Sequence, residues 1–250
     1  MERLEVRNGV YYITRKVPFR DCHIDDAFKN EVFEFAYGMT FGKAGEHRDH
    51  RSGGQHRRKN GELFADTFQG KMAEFFLYHY LVGKGVKSTI PDLDLWNLGK
   101  WDSTDLVIKG FKINVKSTKS FGNLLLLETK DWDSNADYIP NSGTGNEHYD
   151  FFILTRINPF CSDLMKEQRL LYSESADRNS LKKLMTTPNW QFDIPGFITK
   201  NDLKKVIIER QIIPQNSLLM SRFTKMDAEN IYIQAGCMKP ISELIPLLKS

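Results

Sequence analysis

Asp105–Thr118, DLVIKGFKINVKST, is the stretch on which the fold of this chain turns. Lys109-Gly110 separates two runs rich in Val, Ile and Phe, and a two-residue loop with glycine second is a favoured way to join antiparallel strands. In that register Ile108 faces Phe111, and counting back along both strands sets Asp105 opposite Asn114. Directly opposed residues share a face, with Cβ atoms about 4.5–5.5 Å apart. Lys116, two residues further on, returns to the same face because strand side chains alternate. Leu106, Ile108, Ile113 and Val115 then fall together on the other face and can enter a core. Strand pairing alone thus gathers a carboxylate, an amide and an amine.

Such a trio suits a hard divalent cation. Asp105 would bind through ionised oxygen, Asn114 through neutral oxygen, and the backbone carbonyl of Val115 is a further donor. Lys116 would orient or deprotonate a water and stabilise charge on a phosphoryl group. The same letters also describe the solvent face of any amphipathic hairpin, so the flanking sequence has to decide.

Working outward, Glu62–Val82 reads as a helix with Phe64, Phe68, Met72, Phe75 and Phe76 as its apolar stripe, Glu74 within it, and Gly83 and Gly85 as its stop. Downstream, Leu124–Glu128 is a short strand and Asp150–Ile157 an apolar one of the kind buried on both faces. The polar stretch between them, about 131–148, reads as irregular. At the N-terminus Asn8-Gly9 marks a second hairpin, followed by a helix from about residue 23 with Ile24, Ala27, Phe28, Val32 and Phe35 at helical spacing. Toward the C-terminus, Ser180–Met185 reads as a short helix. Thr199 with Asp202 forms a capping box opening a helix to about Gln211, Asn230–Gln234 is strand-like, and Pro240 opens a last helix. No repeat, linker or low-complexity tract divides residues 1–250, which read as a single α/β domain.

Composition narrows the function classes. With 40% apolar and 12% aromatic residues the chain can fill a core, and wholesale disorder is excluded. Cys22, Cys161 and Cys237 are far apart and form no CxxC pair, which argues against a disulfide framework or a cysteine zinc site and fits a reducing, cytoplasmic setting. No segment approaches the roughly 20 apolar residues of a membrane span, so no membrane partner is expected. The net charge of +3 is concentrated: residues 42–60 carry Lys43, Arg48, Arg51, Arg57, Arg58 and Lys59 against only Glu46 and Asp49. A Gly-rich basic arm of this kind suits phosphate contacts, each of which releases counterions. His47, His50 and His56 in the same arm raise an HNH-type metal site as a rival, but Gly53-Gly54 interrupt the frame that such ligands need.

A helix bearing an acid in QGKMAEF, a strand opened by Asp in STDLVIKG, a strand closing on KINVKST, and the apolar strand HYDFFILTRI follow one another in order. As an ordered set they resemble the core of the PD-(D/E)xK nuclease superfamily, to which most restriction endonucleases belong. The resemblance covers residues 62–157. It implies a restriction-endonuclease-like α/β core, a mixed β-sheet flanked by helices, with additional N- and C-terminal elements and with 158–250 as a DNA-recognition elaboration. On it, Asp105 resembles the family's metal-binding aspartate, Lys116 its lysine and Glu74 its helical glutamate, an additional metal ligand. Asn114 stands where the family usually has Asp or Glu and lowers the negative charge of the site. Pro91-Asp92 is the literal "PD", and Asp94 and Asp102 are further upstream acids, but all three lie in turn-like sequence.

The resemblance implies hydrolysis of double-stranded DNA with Mg²⁺, Mn²⁺ being able to substitute, by a type II restriction endonuclease acting as a homodimer. Lys43, Arg48, Arg51, Arg57, Arg58, Lys59, Lys71, Ser117 and Lys119 are candidate DNA contacts, with Lys200, Asn201 and Lys204 as further candidates. Two alternatives stay open: a structure-specific or repair nuclease on the same scaffold, and a DNA-binding protein that has lost catalysis.

Overall fold

The computed structural model describes residues 1–42, 58–93, 105–145, 147–220 and 224–249. The basic side chains Lys43, Arg48, Arg51 and Arg57, the three histidines of the arm, and Asp94 and Asp102 therefore lie outside the described residues.

Local sequence explains the first elements. β1 (Glu5–Arg7) and β2 (Val10–Tyr12) turn at Asn8 and Gly9, whose φ values of 49° and 75° are the left-handed pair that a two-residue hairpin requires. α1 (Lys29–Met39) begins later than its apolar spacing predicts. Upstream, the Asp21 and Asp25 carboxylates accept the His23 and Ala27 amides at 3.1 and 2.9 Å. Such short side-chain turns compete with helix for the same donors. α2 (Asn60–Gly83) contains the expected helix in full, and its five stripe residues are each at most 1% exposed. At about 1.5–3 kcal/mol per buried large apolar side chain, that stripe is a major stabilising element of the chain.

β3 (Leu106–Ile108) and β4 (Phe111–Lys119) meet at Lys109 and Gly110, with φ of 51° and 84°. There follow β5 (Leu124–Glu128), β6 (Phe151–Asn158), α3 (Cys161–Glu167), α4 (Arg178–Thr186) and β7 (Gln191–Thr199). Next come α5 (Lys200–Ile208), β8 (Ile212–Ile213), β9 (Leu218–Leu219), β10 (Asn230–Gln234) and α6 (Ile241–Lys249). α5 opens on the predicted capping box: Thr199 accepts from the Asp202 amide, and the Asp202 carboxylate accepts from the Thr199 amide at 3.0 Å.

The principal sheet has the order β3-β4-β6-β7, antiparallel at both outer pairs and parallel between β4 and β6. It does not end at residue 157, since its fourth strand, β7, comes from beyond the 62–157 segment. The sequence of β7 hides it, because Pro195-Gly196 reads as a break. Proline is tolerated in this outermost strand, where a register shift between Leu154 and Arg156 absorbs it. Gly196 is required because a Cβ there would lie 2.7 Å from the Lys239 carbonyl oxygen. β5 does not join the principal sheet; it pairs with β10, which also pairs with β8, in a second sheet.

Alternation along β6 separates two cores. Phe151, Ile153 and Ile157 face the first, with Ile113, Phe192 and the α1 and α2 aromatics. Phe152 and Leu154 face the second, with Leu203 and Val206 of α5 and Ile231 and Ile233 of β10. The protein is thus a mixed α/β structure whose sheets are flanked by helices. In the second face is set Arg156, fully buried, with Nε 2.8 Å from Asp193 Oδ1 and Nη2 2.5 Å from Oδ2. Its guanidinium also donates to the carbonyls of Val17, Pro18 and Gly122, at 2.8, 3.0 and 3.4 Å, tying the segment after β2 to the sheet.

Candidate functional site

The site is built by the β3–β4 register. Leu106 pairs with Ile113 and Ile108 with Phe111, so Asp105, immediately before β3, stands next in line beside Asn114. Its Oδ2 accepts the Val115 amide at 2.6 Å, which fastens the carboxylate to β4 just past the last ladder pair. What the backbone of Val115 contributes here is its N–H, while its side chain packs at the margin of the first core.

Asn114 is 5% exposed, and its Oδ1 has no hydrogen-bond partner among the described residues. A buried acceptor left without a donor costs about 1–3 kcal/mol, so this oxygen is a local debit that a cation or a donor on a ligand would remove. In the β4–β6 register Asn114 lies beside Phe152 and Lys116 beside Leu154. Both neighbours belong to the second core, so Asn114 and Lys116 leave the sheet on the face away from α2. Lys116 is half-buried and forms no ion pair among the described residues; its carbonyl accepts the Thr155 hydroxyl at 3.0 Å.

Glu74 stands apart from this trio. It is buried in α2, in the helix layer on the Ile113 face, and its Oε2 accepts Lys71 Nζ at 2.7 Å. Lys71 in turn lies 5.6 Å from the Phe35 ring centroid. Asp92, of the literal "PD", lies in irregular structure between α2 and β3.

The described candidates for DNA contact are mostly paired with acids. Arg58 Nη1 lies 3.0 Å from Asp66 Oδ2, and Lys59 Nζ 2.6 Å from Glu174 Oε1. Lys119 Nζ donates to both oxygens of Asp163 at 2.8 Å, and Lys200 Nζ is 2.5 Å from Asp137. Lys204 Nζ donates to Asn135 at 3.1 Å, and Ser117 lies half-buried beside Thr155. The pairs most open to water, Lys59–Glu174 and Lys119–Asp163, are worth little, about 0–1 kcal/mol, so a phosphate can displace those acids at small cost.

Two polar groupings escape sequence reasoning. One is the Arg156–Asp193 pair. The other is a chain in which His148 Nε2 lies 2.8 Å from Asp150 and Nδ1 lies 3.0 Å from Lys200 Nζ. His148 and Asp150 are close in sequence, but no local pattern connects them to Lys200 across 52 residues.

As a cation site, the hairpin offers one carboxylate and one orphaned amide oxygen. Among the described residues no group of three His, Cys, Asp or Glu side chains is placed to hold a metal. This donor set fits a hard, oxygen-seeking ion that keeps several of its waters, as Mg²⁺ does, and does not fit a site closed by protein ligands. Compared with family models, with curated proteins and with solved structures, the chain matches none. Among the described residues no helix is long and apolar enough to cross a membrane.

Proposed function

We propose that this chain is a metal-dependent endonuclease that hydrolyses phosphodiester bonds of double-stranded DNA on a restriction-endonuclease-like core, with type II restriction as its setting. The observation that carries the reading is the buried Oδ1 of Asn114, without a partner among the described residues, in register with Asp105 and one strand period from Lys116. An acceptor that folding leaves unsatisfied is best explained by a ligand that satisfies it, and an adjacent carboxylate makes that ligand a cation.

Mg²⁺, when bound, supplies Lewis-acid polarisation of a phosphoryl oxygen and acidifies a water. Asp105 and Asn114 would hold it, and the Val115 amide keeps the Asp105 carboxylate aimed. Lys116 would orient the attacking water and balance charge gathering on the phosphate. Glu74, in the helix layer on the other face of the sheet, would stay with Lys71 rather than join as a further ligand. Cleavage of both strands of a palindromic site calls for two copies of the chain. A second reading, a DNA-binding protein without catalysis, is favoured by the amide at position 114 and by the absence of an acidic triad among the described residues.

The test is incubation with supercoiled plasmid and Mg²⁺, beside Asp105→Ala and Lys116→Ala. Discrete fragments from the parent and none from either variant are expected, with binding in Ca²⁺ kept by Lys116→Ala. Equal cutting by Asp105→Ala removes Asp105 from the mechanism, whereas binding with no nicking in Mg²⁺ or Mn²⁺ selects the second reading.

A further inference from the structure

The irregular strap between β5 and β6, residues 133–145 with Glu147 and His148, lies over the second core. Trp132 and Tyr149, at its two ends, both pack on the Phe152 ring, with centroids 5.1 and 6.0 Å away, and Ala136 within it is fully buried. Phe152 is the β6 neighbour of Asn114, so the strap is laid on the face of the sheet from which Asn114 and Lys116 project. Lysines of the sheet and of α5 tie it down. Lys112 Nζ donates to the Gly145 carbonyl at 3.0 Å and Lys204 Nζ to Asn135 Oδ1 at 3.1 Å. Lys200, the first residue of α5, reaches both Asp137 Oδ1 and His148 Nδ1, at 2.5 and 3.0 Å.

The contact between Lys200 and His148 admits one arrangement of protons. An ammonium group donates and never accepts, so Nδ1 is the acceptor and carries no proton. The single ring proton sits on Nε2 and is donated to Asp150 Oδ1 at 2.8 Å. Asp150 is fixed in turn by backbone: its Oδ2 accepts the Lys112 amide at 2.8 Å, its amide donates to the Lys112 carbonyl at 2.8 Å, and its carbonyl accepts the Lys200 amide at 2.9 Å. A neutral, half-exposed imidazole is thus held between a cation and an anion whose positions the sheet sets. Histidine is the side chain that ordinarily changes charge between about pH 5 and 8. A second ring proton turns Nδ1 from acceptor into donor and sets two cations side by side. The charged groups around the ring are Asp150 at the entry to β6, Lys200 of α5, Lys112 of β4, and Asp137 and Glu147 of the strap, the last turned to the Gly143 amide at 2.7 Å. Asp150 keeps the imidazolium, so the Lys200 contact is the one that gives way. Because the same ammonium holds Asp137, its displacement loosens two ties at once.

We propose that His148 and Lys200 form a proton-operated latch: neutral His148 holds the strap on the sheet, and a proton on its ring loosens the strap over the face that carries Asn114 and Lys116. The latch governs access to that face whatever reaction the face performs, so it goes beyond the nuclease reading and does not depend on it. Opening is local, because the apolar packing of Trp132 and Tyr149 on Phe152 involves no group that titrates in this range.

The test is amide hydrogen exchange of the whole chain, read by mass spectrometry at about pH 5 and about pH 8, on either side of the histidine range, and corrected for the intrinsic pH dependence of exchange. Peptides covering residues 133–145 are expected to exchange about fivefold faster at the lower pH, the effect of losing about one ordinary hydrogen bond, while peptides of α2 do not change. Lys200→Met is expected to show the fast exchange at both pH values. His148→Asn, whose Oδ1 stands in for Nδ1 as an acceptor and cannot gain a proton, is expected to show the slow exchange at both. Equal exchange of the strap at the two pH values in the parent overturns the proposal. So does a pH dependence that survives in His148→Asn, which would assign the proton to Asp137, Glu147 or Asp150, and so does an equal acceleration in α2, which would be general loosening by acid. No DNA enters the measurement, so a chain that cuts no plasmid can still show the latch, and a chain that cuts plasmid can still lack it.

Discussion

Replacing Asn114 with leucine separates a functional oxygen from a structural one. Among the described residues Asn114 Oδ1 is buried without a partner, beside Phe152 in the strand register and so against the apolar second core. An orphaned acceptor costs about 1–3 kcal/mol, and an apolar side chain of similar volume removes the debt. Asn114→Leu should therefore raise stability by about 1–3 kcal/mol, or about 2–12 °C in Tm at about 2–4 °C per kcal/mol for a chain of this size. Plasmid cleavage should be lost at the same time. A cation that binds only the folded state adds RT ln(1 + [L]/Kd), about 1.4 kcal/mol at tenfold excess over Kd. Melts of the parent with and without Mg²⁺ should differ by about that much, and melts of Asn114→Leu should coincide. The pairing of higher stability with lost activity and lost Mg²⁺ response is what a ligand site gives and a structural amide does not. An Asn114→Leu protein that melts lower than the parent by more than about 1 kcal/mol and still cuts DNA refutes the reasoning.

Arg156→Met should cost about 3–5 kcal/mol in urea unfolding, because the Asp193 carboxylate, 4% exposed, is left with the Arg20 amide at 2.9 Å in place of a guanidinium. Adding Asp193→Leu should return much of that loss, and a single-variant cost under about 1 kcal/mol would show that the pair is not structural. Burial pushes the Cys22 thiol up to about 11, with the Asp193 carboxylate adding to it, and burial pushes Cys161 well above the ordinary thiol range. At pH 8 about one Cys22 in a thousand is thiolate, so an aromatic disulfide reagent should titrate Cys237 first, Cys22 slowly, and Cys161 only as the chain unfolds. Rapid reaction of Cys161 in the folded protein would contradict its complete burial.

Much of the local structure was legible because the rules that set it act over a few residues. Asn8-Gly9 turns as its left-handed preference requires, Gly110 closes the second hairpin in the same way, β5 and β10 have the expected bounds, and Thr199 with Asp202 caps α5. The trio of Asp105, Asn114 and Lys116 follows from one two-residue turn, because register propagates along a pair of strands. The start of α1 was not legible, since Asp21 and Asp25 bind nearby amides that helix-type spacing ignores. Nor was β7, whose Pro195-Gly196 is a break by local rules and becomes a strand only because β6 shifts register beside it and the Lys239 backbone needs the space of a missing side chain.

The sequence by itself determined the hairpins, the helix stripe and the order of side chains along each strand, for those depend on backbone preferences and on periods of two and 3.6 residues. Only the tertiary structure decided that Asn114 is buried without a donor among the described residues, that Glu74 holds Lys71 in the helix layer, that Lys119 is tied to Asp163, and that Phe121 stands exposed to solvent. Each of these is a relation between side chains brought together by packing, and burial and partnership are properties of what surrounds a residue, which no local pattern encodes.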